Sequence, residues 1–403
     1  MNRRVAIVGI GQSPRDPRYN RRHTWREILV SAVYEALDGA GIGPREIQAG
    51  FVNYHGEMYI ETGGIAPIIA DYLGMTPISF SVLSAQCNGG ALSLYGGITG
   101  VVSGRYDKVL VIGFDKEDTH INPQDTFNTS FEVEYDYNLG LSHLDGIFLR
   151  EQAYMRKYGY DLRPVAKFAQ QCYWYANRNP RAVRYKEPVP GMEELTQEIW
   201  PGSLMPALGS IRKRGLAISG GAAAAVILVP EEDAHKYTDV PVFVDGFSHK
   251  VISHYLGKQQ NYPVPGLKDG NIASLPHAAV AAREAYAMAG ITFDDIDLAH
   301  VYDNQATPML FLEALGICEP GRAGQFILDG GTAVDGRCPT NTHGGCTAFC
   351  LSSGADVTDQ IVESVIQLQG RAGERQVKEP RVAVCCGFSG CGGGTSVTVL
   401  KRS

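Results

Sequence analysis

No run of lysine and arginine in this 403-residue chain is long enough to track a phosphate backbone, and the formal net charge is −7. Nucleic acid is therefore not an expected partner. Long apolar runs are missing as well: the longest, Ala217 to Val229, contains two glycines and falls short of the roughly 18 residues that a membrane span needs. The start, Met1-Asn-Arg-Arg ahead of Val5-Ala-Ile-Val8, has the outline of a secretory signal. Gly9, Gly11, Gln12 and Pro14 break it, no A-x-A site follows, and it reads as a first β-strand. Paired C-x2-C knuckles are absent too, so Cys338, Cys346, Cys350, Cys385, Cys386 and Cys391 do not describe a zinc site and no metal is expected. The nine cysteines are odd in number and lie in apolar or glycine-rich surroundings, which excludes a disulfide framework and fits a reducing, cytoplasmic compartment.

What is present is an ordinary globular balance, 44% hydrophobic and 20% charged, in a chain long enough for two packed cores. An internal repeat says how they are organised. Residues Ala32 to Val52 align without gaps on Ala281 to Val301, with Ala32/Ala281, Glu35/Glu284, Ala36/Ala285, Ala40/Ala289, Gly41/Gly290, Ile42/Ile291, Ile47/Ile296 and Val52/Val301 matching. In both copies an alanine-rich helix stops at a glycine and a short turn leads into an apolar strand. The spacing of the copies exceeds half the chain, so the first half carries an insertion. Lys116 to about Gly209, rich in Tyr, Asn, Pro and charge, reads as a helical excursion between two clear strands. The expected fold class is α/β, with halves 1–230 and 231–403 each running βαβαβαββ.

Between the third and fourth strands lies Ser84-Ala-Gln-Cys-Asn-Gly-Gly90, a cysteine at the start of a glycine-rich helix, followed by Ser103-Gly104, Asp107, Leu110 and Gly113. This segment resembles the nucleophile region of the thiolase superfamily, with its S-G-x-x-D-x-x-L-x-x-G run. The resemblance implies a five-layered αβαβα core and acyl transfer from a CoA thioester through an acyl intermediate on Cys87. The thioester is a substrate, and no permanently bound cofactor is implied. The chemistry agrees: unpaired N–H groups and the dipole at a helix N-terminus favour a thiolate, and Gly89 and Gly90 leave room for an acyl chain.

The second half departs from the family pattern. Tyr302-Asp303-Asn304-Gln305 replaces the usual H-D-A-F or N-E-A-F element, and Pro339-Thr-Asn-Thr-His-Gly-Gly345 is similar to the N-x-x-G-G loop. Cys350-Leu-Ser-Ser-Gly-Ala355 stands where G-H-P-x-G-A is usual, so Leu351 occupies the place of a catalytic histidine, and Cys391 is displaced by one position in Ser389-Gly-Cys-Gly-Gly-Gly394. These features resemble the sterol-carrier-protein-type branch, which includes side-chain aldolases that lack the nucleophilic cysteine. Tyr54-His-Gly-Glu57, Glu134-Tyr-Asp-Tyr137 and Leu141-Ser-His143 are similar to the acetylphloroglucinol C-acyltransferases, with the benzoylsuccinyl-CoA thiolases as a second resemblance. Both imply a small partner subunit carrying a zinc ribbon and an OB-fold. A homodimer is the minimal unit expected.

With Leu351 in place of histidine, other groups must move protons and hold an oxyanion. His55 is the repeat counterpart of Asn304, His143 lies in the excursion and His343 beside the second-half glycines. Tyr302 and Cys391 complete the candidate catalytic set, while Asn304, Gly345, Gly392, Arg212 and Arg214 are candidates for substrate binding, the arginines toward CoA phosphates. Each also has a bland alternative as core or solvated surface. The favoured reaction makes or breaks a C–C bond next to a carbonyl in a 3-oxoacyl-CoA, an aromatic one such as benzoylsuccinyl-CoA among them. The alternatives are CoA-independent C-acylation of an aromatic acceptor, retro-aldol cleavage of a 3-hydroxyacyl-CoA with Tyr302 as acid/base, and a scaffold without catalysis.

Overall fold

A computed structural model describes residues 3–15, 21–117, 123–200, 211–212, 220–259 and 272–403, with the backbone alone for 123–125, 198–200 and 211–212. The first half runs β1 (Val5–Gln12), α1 (Trp25–Ala40), β2 (Ala49–Asn53), α2 (Ile65–Tyr72), β3 (Ser79–Val82), α3 (Gly89–Val102) and β4 (Val109–Lys116). Helices α4 (His143–Tyr158) and α5 (Arg163–Asn177) follow, then β5 (Gly221–Pro230). The second half runs β6 (Val242–Val251), α6 (Pro276–Ala289), β7 (Leu298–His300), α7 (Thr307–Ala314), α8 (Asp356–Leu368), β8 (Val382–Ser389) and β9 (Gly394–Arg402).

The repeated helices end as their glycines dictate. Gly41 and Gly290 both take φ of 64° and cap α1 and α6 in the left-handed region, where a side chain is strained. The strands beneath match as well: a Cβ on Gly9 would lie 2.5 Å from Ala36 O, and one on Gly246 would lie 2.1 Å from the O of Ala285, the repeat counterpart of Ala36. Helix and strand thus approach more closely than any side chain permits, in the same way in both halves.

The strands form one sheet in the order β3-β2-β4-β5-β1-β6-β9-β8-β7, the halves joined where Val5, Ala6 and Ile7 pair with Val244, Phe243 and Val242. Alternation along each strand separates three cores. Ala6, Val8, Ala223 and Ala225 pack under α1; Val5, Ile7, Ala224 and Val226 pack with α3 and α8; Val384, Cys386, Val397 and Val399 pack with α6 and α7. Three helix layers therefore enclose two curved sheet halves, which is the five-layered αβαβα arrangement of the thiolase fold. Residue 230 marks no break in packing, because Ile147, Tyr154 and Phe168 of α4 and α5 share a core with Met309 and Phe311 of α7.

The second half departs from the sequence reading at two places. The expected fifth strand shrinks to a single bridge between Ala299 and Thr340. The sequence from about Thr347 to Leu368 reads as one helix; in the structure a π-helical turn spans Gly345–Phe349 and breaks at Cys350, and α8 starts at Asp356. Carboxylates cause the break: Glu117 takes the N–H of Ser353 and Asp115 that of Gly354, which holds this stretch out of a helix. No described helix is long and apolar enough to cross a membrane.

Candidate active site around Cys87

Gln86–Asn88 form one 3-10 turn between β3 and α3, and Gln86 holds a positive φ of 54°. A strained non-glycine backbone of this kind persists only where its neighbours over-determine it. They do so here. Asn53, at the end of β2, donates from Nδ2 to Gln86 O at 3.3 Å and to Gly354 O at 3.0 Å, tying the Cys87 turn to the loop that carries Ser353. Ser396 hydrogen-bonds Asn88 from the other side. Gly89 is required because a Cβ there would lie 1.7 Å from Asn53 Oδ1.

The expectation of a helix-stabilised thiolate is corrected. Cys87 is 6% exposed, and burial pushes its thiol well above the ordinary value, with Asp356, Glu117 and Asp115 adding to the rise and Ser353 opposing it. Desolvation shifts a pKa by up to about 3–5 units, more than a helix end returns through a 3-10 turn. Cys87 rests as a thiol, so a base must act during attack.

Two of the candidate histidines flank one ring. His55 sets its ring edge-on to Phe127 at 5.9 Å, and His143 stacks on Phe127 at 5.4 Å. The His55 N–H donates to both oxygens of Asp115, and its Nε2 is buried without a partner. His143 hydrogen-bonds the Gly390 backbone through its ring. Burial lowers both imidazoles to about 4, so both are neutral near pH 7. Tyr302, 1% exposed, stacks on Phe388 at 5.2 Å; burial raises its phenol, with Cys87 next in effect, and Asn304 bonds it.

Cys391 belongs to the same neighbourhood. A Cβ on Gly390 would lie 3.1 Å from Gln86 Oε1, so this loop borders the Cys87 turn, and a Cβ on Gly146 would lie 2.9 Å from Cys391 Sγ, against the first turns of α4. Burial raises the Cys391 thiol, and Arg150, whose Nε donates to Cys391 O at 3.2 Å, opposes the rise.

The other candidates are placed differently. His343 faces His300 and Phe349, each at 5.1 Å, and feels Arg375 and Arg15, a buried polar cluster of its own. Gly345 turns the backbone around Asp303, which accepts from Cys346 N at 2.6 Å and Thr347 N at 3.2 Å. Gly392 is held against Arg150, where a Cβ would lie 2.5 Å from Nη2. Arg214 lies outside the described residues, as does the side chain of Arg212.

Sequence reasoning missed Ser353, Cys346 and Asp356. The signal was available: all three lie within five residues of Leu351, in or beside the stretch that departs from the family pattern. Among the described residues no group of three or more His, Cys, Asp and Glu side chains is arranged to hold a metal ion.

The buried imidazoles set an acid limit. His55, His143 and His300 are lowered to about 4, His277 to about 3, and His343 well below its ordinary value, all chiefly by burial. Between the ordinary value near 6.5 and these folded values the unfolded chain takes up protons that the folded chain refuses, so stability falls as pH falls. The buried carboxyls of Asp356, Asp115, Asp303 and Asp359, raised by burial, act in the opposite sense over the same range, so the imidazole share is read by difference: His277→Gln is expected to lose less of its urea midpoint between pH 7 and pH 5 than the unaltered chain, and equal losses contradict the burial of this ring.

Residues 268–402 match the family model described as thiolase C-terminal domain-like. The chain is 30% identical to acetyl-CoA acetyltransferase of Methanothermobacter thermautotrophicus over 402 residues, covering 99% of this chain and 100% of that protein. It is 25% identical to sterol carrier protein 2 of Bos taurus over 415 residues, 100% of this chain and 73% of the relative. The solved structure of the Ltp2-ChsH2(DUF35) aldolase superimposes with a TM-score of 0.81 at 21% identity, over 99% of this chain and 97% of that one, a likeness of fold.

Proposed function

Since this chain belongs to the thiolase superfamily, we propose that it transfers acyl groups from CoA thioesters through Cys87, making or breaking a C–C bond next to the thioester carbonyl. The observation that carries this reading is the position of Cys87: a thiol on a strained turn, tied by Asn53 to the Ser353 loop and bordered by the Gly390–Cys391 loop. The thiolate adds to the thioester carbonyl, CoA leaves as a thiol, and the acyl group is held on Cys87 until a carbanion takes it. His55 and His143, neutral and buried, receive the proton of the incoming carbon acid. Ser353, whose Oγ has no other hydrogen-bond partner, steadies the sulfur or the developing oxyanion. Arg212 and Arg214 meet the CoA phosphates, and the compound whose C–C bond is made or broken is a 3-oxoacyl-CoA, aromatic ones included.

A second reading is favoured by Tyr302, a buried phenol within electrostatic reach of Cys87, and by the aldolases among the relatives: retro-aldol cleavage of a 3-hydroxyacyl-CoA with Tyr302 as the acid/base. Intact-protein mass after incubation with a panel of acyl-CoAs separates the two. Acyl transfer gives an adduct that is lost in Cys87→Ser; retro-aldol cleavage gives turnover without one.

The assembly proposed is a homodimer formed through β3, an edge strand on which Ser79, Ser81 and Val82 are exposed. A small zinc-ribbon/OB-fold partner is added by analogy with the aldolase whose name includes a DUF35 protein. The isolated chain is then expected to turn over more slowly than the chain co-purified with that partner, and equal rates refute the partner.

A further inference from the structure

The reading above leaves one step without an agent, because Leu351 stands where a histidine would take the proton of the nucleophile, and Cys87 rests as a thiol. The two buried carboxylates of the first half that act on Cys87 are already engaged, and His55 serves the carbon acid. Asp115 accepts from His55 N and Gly354 N, and Glu117 accepts from Ser353 N.

The inner helix α8 offers another group. Its first residue, Asp356, is 4% exposed, and its first turn meets the start of α3: a Cβ on Gly90 would lie 2.7 Å from Thr358 Oγ1 and 3.3 Å from Val357 Cβ. The Cys87 turn packs on α8 as well. Two side chains orient the carboxyl, Cys346 donating from Sγ to Oδ1 at 3.2 Å and Gln360 from Nε2 to Oδ2 at 3.3 Å. Among the described residues no cation pairs with it. We infer that Asp356, oriented by Cys346, is the base that takes the proton of the Cys87 thiol and returns it to the departing CoA.

The inference rests on the acyl-transfer reading and names the group that serves its first step. The Asp356 carboxylate removes the proton from Cys87 Sγ and becomes a carboxylic acid. The thiolate forms a C–S bond to the thioester carbonyl, the bond from that carbon to the CoA sulfur breaks, and the CoA sulfur takes the proton back from Asp356. The products are acyl-Cys87 and the CoA thiol, with Asp356 restored as carboxylate. The groups that bond Asp356 or act on it electrostatically include Cys87, Tyr302, Asp303, Cys346, Asp359, Gln360 and Cys385, none of them a cation. Burial pushes the carboxyl up to about 8, with Asp303 and Asp359 adding to the rise. A base poised near the working pH is the form general base catalysis requires. Cys346 is a positioning residue in this scheme, since it acts through Asp356.

The test reads Cys87 without any substrate. Alkylation of the full chain by iodoacetamide is followed at Cys87 by peptide mass spectrometry from pH 6 to pH 10. The unaltered chain is expected to show a rate that rises through an inflection near 8, the value to which Asp356 is pushed. Asp356→Asn is expected to be about tenfold slower or more at that pH, its inflection displaced upward, while Asp356→Glu keeps the inflection and Cys346→Ala moves it. A folded Asp356→Asn chain with the unaltered profile overturns the inference. If Asp356→Asn does not fold, an unaltered profile in Cys346→Ala overturns it instead. The acyl-CoA adduct separates this failure from that of the parent reading. An adduct formed equally well by Asp356→Asn removes Asp356 from the reaction and leaves acyl transfer intact; no adduct on any chain, with the inflection still lost in Asp356→Asn, removes acyl transfer and leaves Asp356 as the base that activates Cys87.

Discussion

Replacing Cys87 by alanine is expected to lower turnover of the cognate acyl-CoA by on the order of 10³-fold or more, and to abolish the covalent adduct. The size follows from the surroundings of the sulfur. Cys172, Cys338, Cys346, Cys350, Cys385, Cys386 and Cys391 are buried too, yet none of them lies on the turn that Asn53 and Asn88 hold between β3 and α3. No neighbouring thiol can substitute without moving that turn. The alanine variant leaves the Asn53 and Asn88 bonds in place, so its melting temperature should stay close to that of the unaltered chain. A folded variant with more than about a tenth of the original rate would transfer the chemistry to Tyr302 and the retro-aldol reading, since nucleophile removal costs far more than that.

Asp359→Ala should destabilise the chain by about 3–5 kcal/mol, because it leaves a buried guanidinium without its partner. The Arg15 side chain is 0% exposed and that of Asp359 2%, and the two are hydrogen-bonded. Gln12 Nε2 also donates to Asp359 Oδ1, at 2.7 Å, so β1 and the segment after it are tied to the inner helix through this one carboxylate. Arg15 reaches Ser13 O at 2.9 Å and lies over the Phe349 ring at 5.3 Å, contacts that cannot neutralise its charge. Replacing both partners by apolar residues, as in Arg15→Met with Asp359→Leu, should recover much of the loss, since no lone charge then remains buried. Chemical denaturation checks both. A loss under about 1 kcal/mol for Asp359→Ala would mean that water reaches Arg15.

The repeat is where sequence and structure agree best, for a physical reason. A helix that must stop needs a residue tolerant of positive φ, and a strand pressed against it needs a residue without a Cβ. Gly41 and Gly290 meet the first need and Gly9 and Gly246 the second, so a local rule imposed twice is readable twice. The Cys87 turn was legible on the same terms, through Gly89 and Gly90 ahead of a helix. The shortened fifth strand and the late start of α8 were not legible. Residues 345–355 have ordinary local propensities, and what holds them out of a helix is Asp115 and Glu117, more than 200 residues earlier in the chain.

The protonation states divide along the same line. The sequence alone determined which chemistry was on offer, a thiol, imidazoles and a phenol in a duplicated α/β frame, because residue identity and short-range spacing are local properties. Tertiary structure alone decided how that chemistry is poised. It buried Cys87 deeply enough to keep it protonated, kept His55 and His143 neutral, set Ser353 beside the sulfur and Asp356 within electrostatic reach of it, and gave His343 to His300 and Arg375. Desolvation and the sum of nearby charges depend on which segments fold together, and no window of adjacent residues contains them.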